Sequence, residues 1–279
     1  MQKPQPPRPV SSKPTARTTA RTSARATDWN EVAQWYDQVV GADGSEYHQH
    51  VIFPKTLKLL QLQPESRVID LASGQGVFCR LVGAQVGRVV GVEASDELIR
   101  LAKNHPTNNP IRYLRADARE FVVPFRRVEP DLLFDRAACI LAIQNISPIA
   151  PVFTSLAQVM SPGGLFVMVM MHPCFRGAKE SHWGFDKDQD TQYRRVDRYL
   201  LPRKHPIVAH PGKKDLNYTW TFHRPIEAYV RDLAKAGFVI DALEEWASHK
   251  QSQPGARATA ENRSRQEIPM FMAIRARKL

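Results

Sequence analysis

Five short apolar runs, Arg67 to Leu71, Val89 to Val92, Ile111 to Leu114, Leu132 to Cys139 and Leu165 to Met171, alternate along the chain with segments of helical pattern. Strands that take turns with helices pair in parallel, because each helix carries the chain back to the edge where the next strand starts; the rhythm predicts βα units. Ahead of the first run, Trp29, Val32, Ala33 and Tyr36 fall at i, i+3, i+4 and i+7, one face of an amphipathic helix. A turn at Gly41-Ala42-Asp43-Gly44 follows, then a second helix from Val51 to Leu62 with Pro54 in its first turn. After the fifth run the rhythm breaks, and His172 to Phe222 mixes charge and aromatics with little periodicity, an insertion. Ile226 to Ala236 returns to helix with a stop at Gly237. Phe238 to Trp246 and Ile268 to Ala276 read as closing strands on either side of a long polar loop, Ala247 to Glu267. The chain therefore divides into a tail over residues 1–27 and one α/β domain over 28–279, with cap helices over 29–62 and a lid-like insertion over 173–222.

Charge is spread unevenly. The 279 residues carry a formal +11, yet six of the 39 basic side chains lie in residues 1–27, which hold no acid, leaving 33 against 28 from Asp28 onward. Rich in Pro, Ser, Thr and Arg, that tail offers too little apolar surface to offset its ordering entropy and is expected to be disordered. An Arg- and Ser-rich, acid-free leader also suits an organelle transit peptide, whereas the lack of an apolar stretch argues against a secretory signal. Cys79, Cys139 and Cys174 are widely spaced without a CxxC pair, so neither a disulfide framework nor a zinc ribbon is indicated and a cytoplasmic location is expected. No apolar run approaches the ~20 residues of a bilayer span. Tyr47-His48-Gln49-His50 supplies two imidazoles without a nearby carboxylate pair, and no metal is expected there.

The chemistry gathers at the strand ends. Val68-Ile69-Asp70-Leu71-Ala72-Ser73-Gly74-Gln75-Gly76 runs from an apolar strand into a turn of small residues, which lets a ligand approach the backbone. Dinucleotide and nucleoside cofactors both use such turns, but a carboxylate at Asp70 would repel a pyrophosphate and suits a cofactor with an ammonium and a sulfonium, S-adenosylmethionine. Gly74-x-Gly76-x-x-Cys79 also lacks the third Gly or Ala of the dinucleotide pattern. The second strand closes on Glu93, an acceptor for ribose hydroxyls, and the third on Asp117, an acceptor for an adenine amino group.

With these features the sequence resembles the class I S-adenosylmethionine-dependent methyltransferases, across most of residues 29–279. Asp70 to Gly76 is similar to the family's first motif with Ala72 in place of its first glycine, and Met160-Ser161-Pro162-Gly163-Gly164 is similar to its turn into the fifth strand. The resemblance implies a Rossmann-like seven-stranded sheet of order 3-2-1-4-5-7-6, strand 7 antiparallel, with helices on both faces. It implies a cofactor site of Asp70, Ala72, Ser73, Gly74, Gly76, Glu93, Ala94, Asp117, Ala118 and Cys139, with Ile140 to Asn145 beside it. Phe134 to Cys139 looks like the fourth strand, although Arg136 is unusual in a central strand and Pro130-Asp131 offers another start. The branch it looks like is the small-molecule methyltransferases, the type 11 and quinone-biosynthesis-like enzymes.

On the acceptor side, His172 leaves the fifth strand at the sheet's carboxyl edge, where it is a candidate general base or, alternatively, a ligand of its own loop. The insertion holds eight aromatics between residues 173 and 222. They form either a small core or the wall of an apolar pocket, with Trp183, Trp220 and His223 in it and Tyr36 and Tyr47 of the cap completing the cover. A small-molecule acceptor is the main expectation. Arg194-Arg195, Lys213-Lys214 and the tail leave a tRNA or other nucleic-acid methyltransferase as an alternative, and a cofactor-binding scaffold without turnover as a second.

Overall fold

In the computed structural model, which describes residues 28–177, 179–209 and 218–279, each apolar run forms a strand. The expected tail, and with it Lys213-Lys214, lies outside these residues. The chain opens with α1 (Ala33–Val40), a π-helical turn at His48–Ile52 and α2 (Phe53–Leu60). Then come β1 (Arg67–Leu71), α3 (Val77–Gly83), β2 (Arg88–Glu93), α4 (Asp96–Asn104), β3 (Ile111–Arg115), α5 (Val122–Val128), β4 (Phe134–Ile140), α6 (Ala150–Ala157) and β5 (Met160–Met171). The insertion is two antiparallel hairpins, β6 (Ser181–Asp186) with β7 (Thr191–Val196) and β8 (Arg203–Val208) with β9 (Tyr218–His223). The chain closes with α7 (Ile226–Lys235), β10 (Phe238–Trp246), α8 (Ala258–Glu267) and β11 (Phe271–Lys278).

Seven strands form the main sheet in the order β10-β11-β5-β4-β1-β2-β3, the expected 3-2-1-4-5-7-6, and β11 runs antiparallel to both neighbours. Alternate residues serve two cores, one on each face. Ile69, Leu71, Ala137, Met168 and Met170 pack with Phe121, Phe125, Phe153 and Leu233, whereas Val68, Ala138, Val167 and Val169 pack with Leu59, Leu60, Phe78 and Trp246. This period of two is what a sheet covered on both sides requires. Among the described residues no helix is long and apolar enough to cross a membrane.

Three details were not legible beforehand. β4 begins at Phe134, as the resemblance implies, but Arg136 within it reaches out of the sheet: its Nε donates to Leu60 O (2.6 Å) and Nη2 to Gln61 O (3.1 Å), satisfying carbonyls that α2 leaves open at its C-terminus. The polar loop expected over 247–267 contains α8, which lies on β7 through Ser264 Oγ donating to Gln192 Oε1 (3.1 Å). Ser95 caps α4, accepting from Leu98 N (3.1 Å), and donates to Asn30 Oδ1 (2.7 Å), which fastens the segment before α1 to the sheet's carboxyl edge.

Candidate active site

β1 leaves the sheet through a turn in which Ala72, Gly74 and Gly76 all have positive φ (53°, 57° and 78°). That curl aims Gly74 N at Glu93 Oε2 (3.0 Å), while Ser95 N donates to Glu93 Oε1 (2.9 Å), so two backbone groups orient the acid that ends β2. Gly76 is needed for a second reason, since a Cβ there would stand 2.2 Å from the Tyr113 hydroxyl. Above the turn, at the carboxyl ends of the strands, opens a cavity of about 500 Å³. Ala72, Gly74, Glu93, Ala94, Asp117 and Ala118 border it, as do Ile140, Leu141, Ala142 and Asn145 after β4.

Four of the expected cofactor residues do not border this cavity. Asp70, Ser73, Gly76 and Cys139 are buried under or beside the turn, and the Cys79 thiol donates to Asp70 Oδ2 (3.4 Å). Burial, helped by the nearby Glu93 charge and opposed by the Cys79 hydrogen bond, pushes the Asp70 carboxyl up to about 7. Burial also raises Glu93, against the hydrogen bonds from Ser95, Gly74 and Ala94. Asp117 goes the other way: burial alone would raise it, but Arg119 grips both oxygens (Nε to Oδ1 2.9 Å, Nη2 to Oδ2 2.6 Å) and holds it below the usual range. Tyr36 of α1 lies over the turn, where a Cβ on Gly74 would meet its ring at 3.2 Å. Its hydroxyl is held far above its ordinary range by burial and by the Glu93 and Asp70 charges. Trp29 of the cap and Phe222 of the insertion also line it, as do Leu98, Arg119 and Lys204, which the sequence did not single out.

Residues 69–168 match the family described as methyltransferase domain. The chain is 26% identical over 187 residues to the demethylmenaquinone methyltransferase of Tropheryma whipplei, covering 65% of this chain and 68% of that one. It is 22% identical over 134 residues to the ubiquinone biosynthesis O-methyltransferase of Xanthomonas campestris pv. campestris, covering 47% and 53%. Among solved structures, an S-adenosylmethionine dependent methyltransferase from Mesorhizobium loti superposes with a TM-score of 0.63 at 25% identity, covering 85% of this chain and all of that one. The matched domain is that of an S-adenosylmethionine-dependent methyltransferase. The methyltransferase's larger cavity fits that cofactor. Glu93, oriented by two backbone donors, would accept from a ribose, and Leu98, Ala118 and Ile146 supply apolar lining that would suit a flat base. The small-residue turn over buried Asp70 leaves room for a cationic methionine end.

A second cavity, of about 250 Å³, adjoins the first and shares Asn145 and Phe222 with it. His172 borders this second cavity, not the methyltransferase's larger one. Its Nε2 faces Glu245 Oε1 (2.6 Å), and its Nδ1 accepts from Cys174 N (3.2 Å) and Phe175 N (3.4 Å). With Nδ1 taken as an acceptor, Nε2 must carry the proton toward Glu245, so the ring as placed has no lone pair for an acceptor's proton. These contacts fit the alternative reading, in which His172 pins its own loop; burial lowers its pKa against the opposing pull of Glu245.

The expected pocket residues separate in the same way. Tyr36 borders the larger cavity and His223 the second. Tyr47 is elsewhere, bonded to Ser248 Oγ (3.1 Å) and packed on His249 and Phe271. Trp183 stands between the guanidinium groups of Arg176 and Arg194, each 4.9 Å from its ring, and borders neither cavity. Trp220 also misses both, but Lys204 Nζ lies 3.7 Å over its ring, and Lys204 is paired across the hairpin with Phe222. Lys204 and Phe222 are thus the insertion's contribution to the larger cavity.

Proposed function

We propose that the enzyme transfers a methyl group from S-adenosylmethionine, seated in the larger cavity, to a small-molecule acceptor entering through the second. The observation that carries this reading is that the two cavities share Asn145 and Phe222 in their linings, so the acceptor's cavity borders the cofactor's. The methyltransferases of demethylmenaquinone and ubiquinone biosynthesis among its relatives support an acceptor of small-molecule size. The bound cofactor supplies an electrophilic methyl on sulfur; the protein supplies position and, for an O–H or N–H acceptor, a proton acceptor. His223 suits that role better than His172. Its Nε2 hydrogen-bonds the Tyr199 carbonyl (2.7 Å), which places the ring proton there and the lone pair on Nδ1. Gly177 keeps the space beside Nδ1 open, because a Cβ there would stand 3.3 Å from it.

Calorimetry with S-adenosylmethionine tests the cofactor half. Glu93→Ala should weaken binding by roughly 1.5 to 3 kcal/mol, the value of hydrogen bonds to a charged group. Because Glu93 also holds Gly74 and Ser95, Glu93→Gln serves as the variant that keeps part of this anchoring. Unchanged affinity in both folded variants refutes the assignment. For the acceptor half, S-adenosylhomocysteine release against a metabolite extract should fall about 10² to 10⁴-fold in His223→Gln.

A further inference from the structure

We infer that the acceptor bound in the second cavity carries an acidic group, a carboxylate or a phosph(on)ate, which Arg176 and Arg224 receive. The inference rests on the second cavity being the acceptor's, as proposed above, and adds the chemical class that it takes.

The cavity's lining contains two guanidinium groups and no Asp or Glu. The partners the structure gives these cations are neutral. Arg176 Nε donates to Pro269 O (3.2 Å) and its ion lies over the Trp183 ring. Arg224 Nη2 donates to Ile146 O (2.6 Å), and its ion lies 5.2 Å over Phe222. Several other cations among the described residues sit against carboxylates, as Arg119 does on Asp117, Arg275 and Arg277 on Asp241, and Arg263 on Glu267. A partly buried cation with only neutral partners is costly unless an anion arrives from outside. Arg176 shows the cost: burial, and then the neighbouring Arg194, pull it down to about 10.

Two acids beside the cavity's lining are turned to its imidazoles. Glu245 faces His172 at 2.6 Å, and Glu180 faces His205 at 2.8 Å, so neither compensates the guanidinium groups. Between the cations, Met171, Ile207, Phe222 and Tyr229 supply an apolar body. An acid that presents two oxygens on an apolar or aromatic frame matches this arrangement, because a guanidinium presents a fork of donors to two oxygens. His223 borders the same cavity, so an acceptor held by its acid is held beside Nδ1.

Saturation-transfer NMR titrations with three probes of one shape test this: benzoate, phenylphosphonate and the neutral benzamide, each added to the full chain with S-adenosylhomocysteine present. At least one of the two acids should bind saturably and at least tenfold tighter than benzamide, and the better one names the acid. That binding should weaken at least tenfold in Arg224→Gln or Arg176→Gln, and stay within twofold in Arg231→Gln, a charge-matched change at an exposed arginine of α7 paired with Asp232. The wild-type comparison needs no variant, so misfolding of a variant, seen as a lost thermal transition, leaves the test standing. Benzamide binding as well as the acids, no probe binding, or acid binding indifferent to both arginine changes each overturns the inference. Failure of S-adenosylhomocysteine to bind instead overturns the proposed function, and the two failures are read in separate titrations.

Discussion

Ala72 occupies a left-handed conformation (φ 53°) at the position where the first motif of similar methyltransferases carries glycine. A Cβ there costs about 1–2 kcal/mol, and glycine's extra freedom in the unfolded chain returns about 0.4–1 kcal/mol of that. Ala72→Gly should therefore stabilise the protein by roughly 0.5–1 kcal/mol, measured as a rise in the urea midpoint at unchanged slope; a lower midpoint would mean that the methyl group packs usefully against the turn. Asp70, two residues earlier, makes an electrostatic prediction. Its folded pKa of about 7 lies above the ordinary 3.8, so the folded state holds a proton there that the unfolded chain has released, and stability is lost as pH rises toward 7. Asp70→Asn should raise the thermal midpoint of the unliganded protein at pH 8, where the wild type carries the buried charge. A cationic cofactor favours the ionised form, so S-adenosylmethionine affinity should climb as pH rises from 5.5 to 7.5 in the wild type and lose that climb in Asp70→Asn. An affinity equally pH-dependent in both proteins would separate Asp70 from the cofactor.

At the level of elements, two placements depend on pairs distant in sequence. Arg136, in a central strand, serves the end of a helix more than seventy residues earlier. Removing it as Arg136→Met should cost about 1–3 kcal/mol, because two carbonyls lose a charged donor while the aliphatic stem is retained. It sits near the amino end of β4, away from the cavities, so cofactor affinity should not move; a parallel loss of affinity would show that α2 transmits to the site. The β8–β9 hairpin makes the second placement. Lys204 and Phe222 face each other across it and reach the larger cavity, while His205, Thr221 and His223, on the alternate positions, border the second. One face of the unit thus borders the second cavity alone, while Phe222 on the other face borders both. The sequence showed its aromatics but not this division, since a ribbon with both faces half covered has no clean alternation of polar and apolar residues. For the same reason α8 was read as loop: only Ala260 and Ser264 are buried along it, too narrow a stripe to stand out.

Across the whole molecule, β5 and β10 lie on opposite sides of β11, and the His172–Glu245 contact ties the chain after β5 to β10. His172→Ala should lower the thermal midpoint by an amount equivalent to about 1–3 kcal/mol, through two backbone donors left without an acceptor, and leave cofactor affinity within twofold. A turnover loss of 10²-fold or more without a stability change would instead restore it as a base. What the sequence by itself determined is whatever local chain physics controls: alternating strand and helix, the small-residue turn around Gly74 and Gly76, and acids at the mouths of β1, β2 and β3, from which the fold and cofactor follow. Only the tertiary structure decided which side chains face a cavity and which lone pairs remain free. It left Asp70 beneath the turn, consumed both nitrogens of His172, and brought Phe222 and His223 to the ends of strands that precede them by more than fifty residues. Backbone preference acts between near neighbours, whereas the direction of a side chain and the identity of its partner are settled by whatever distant element packs against it.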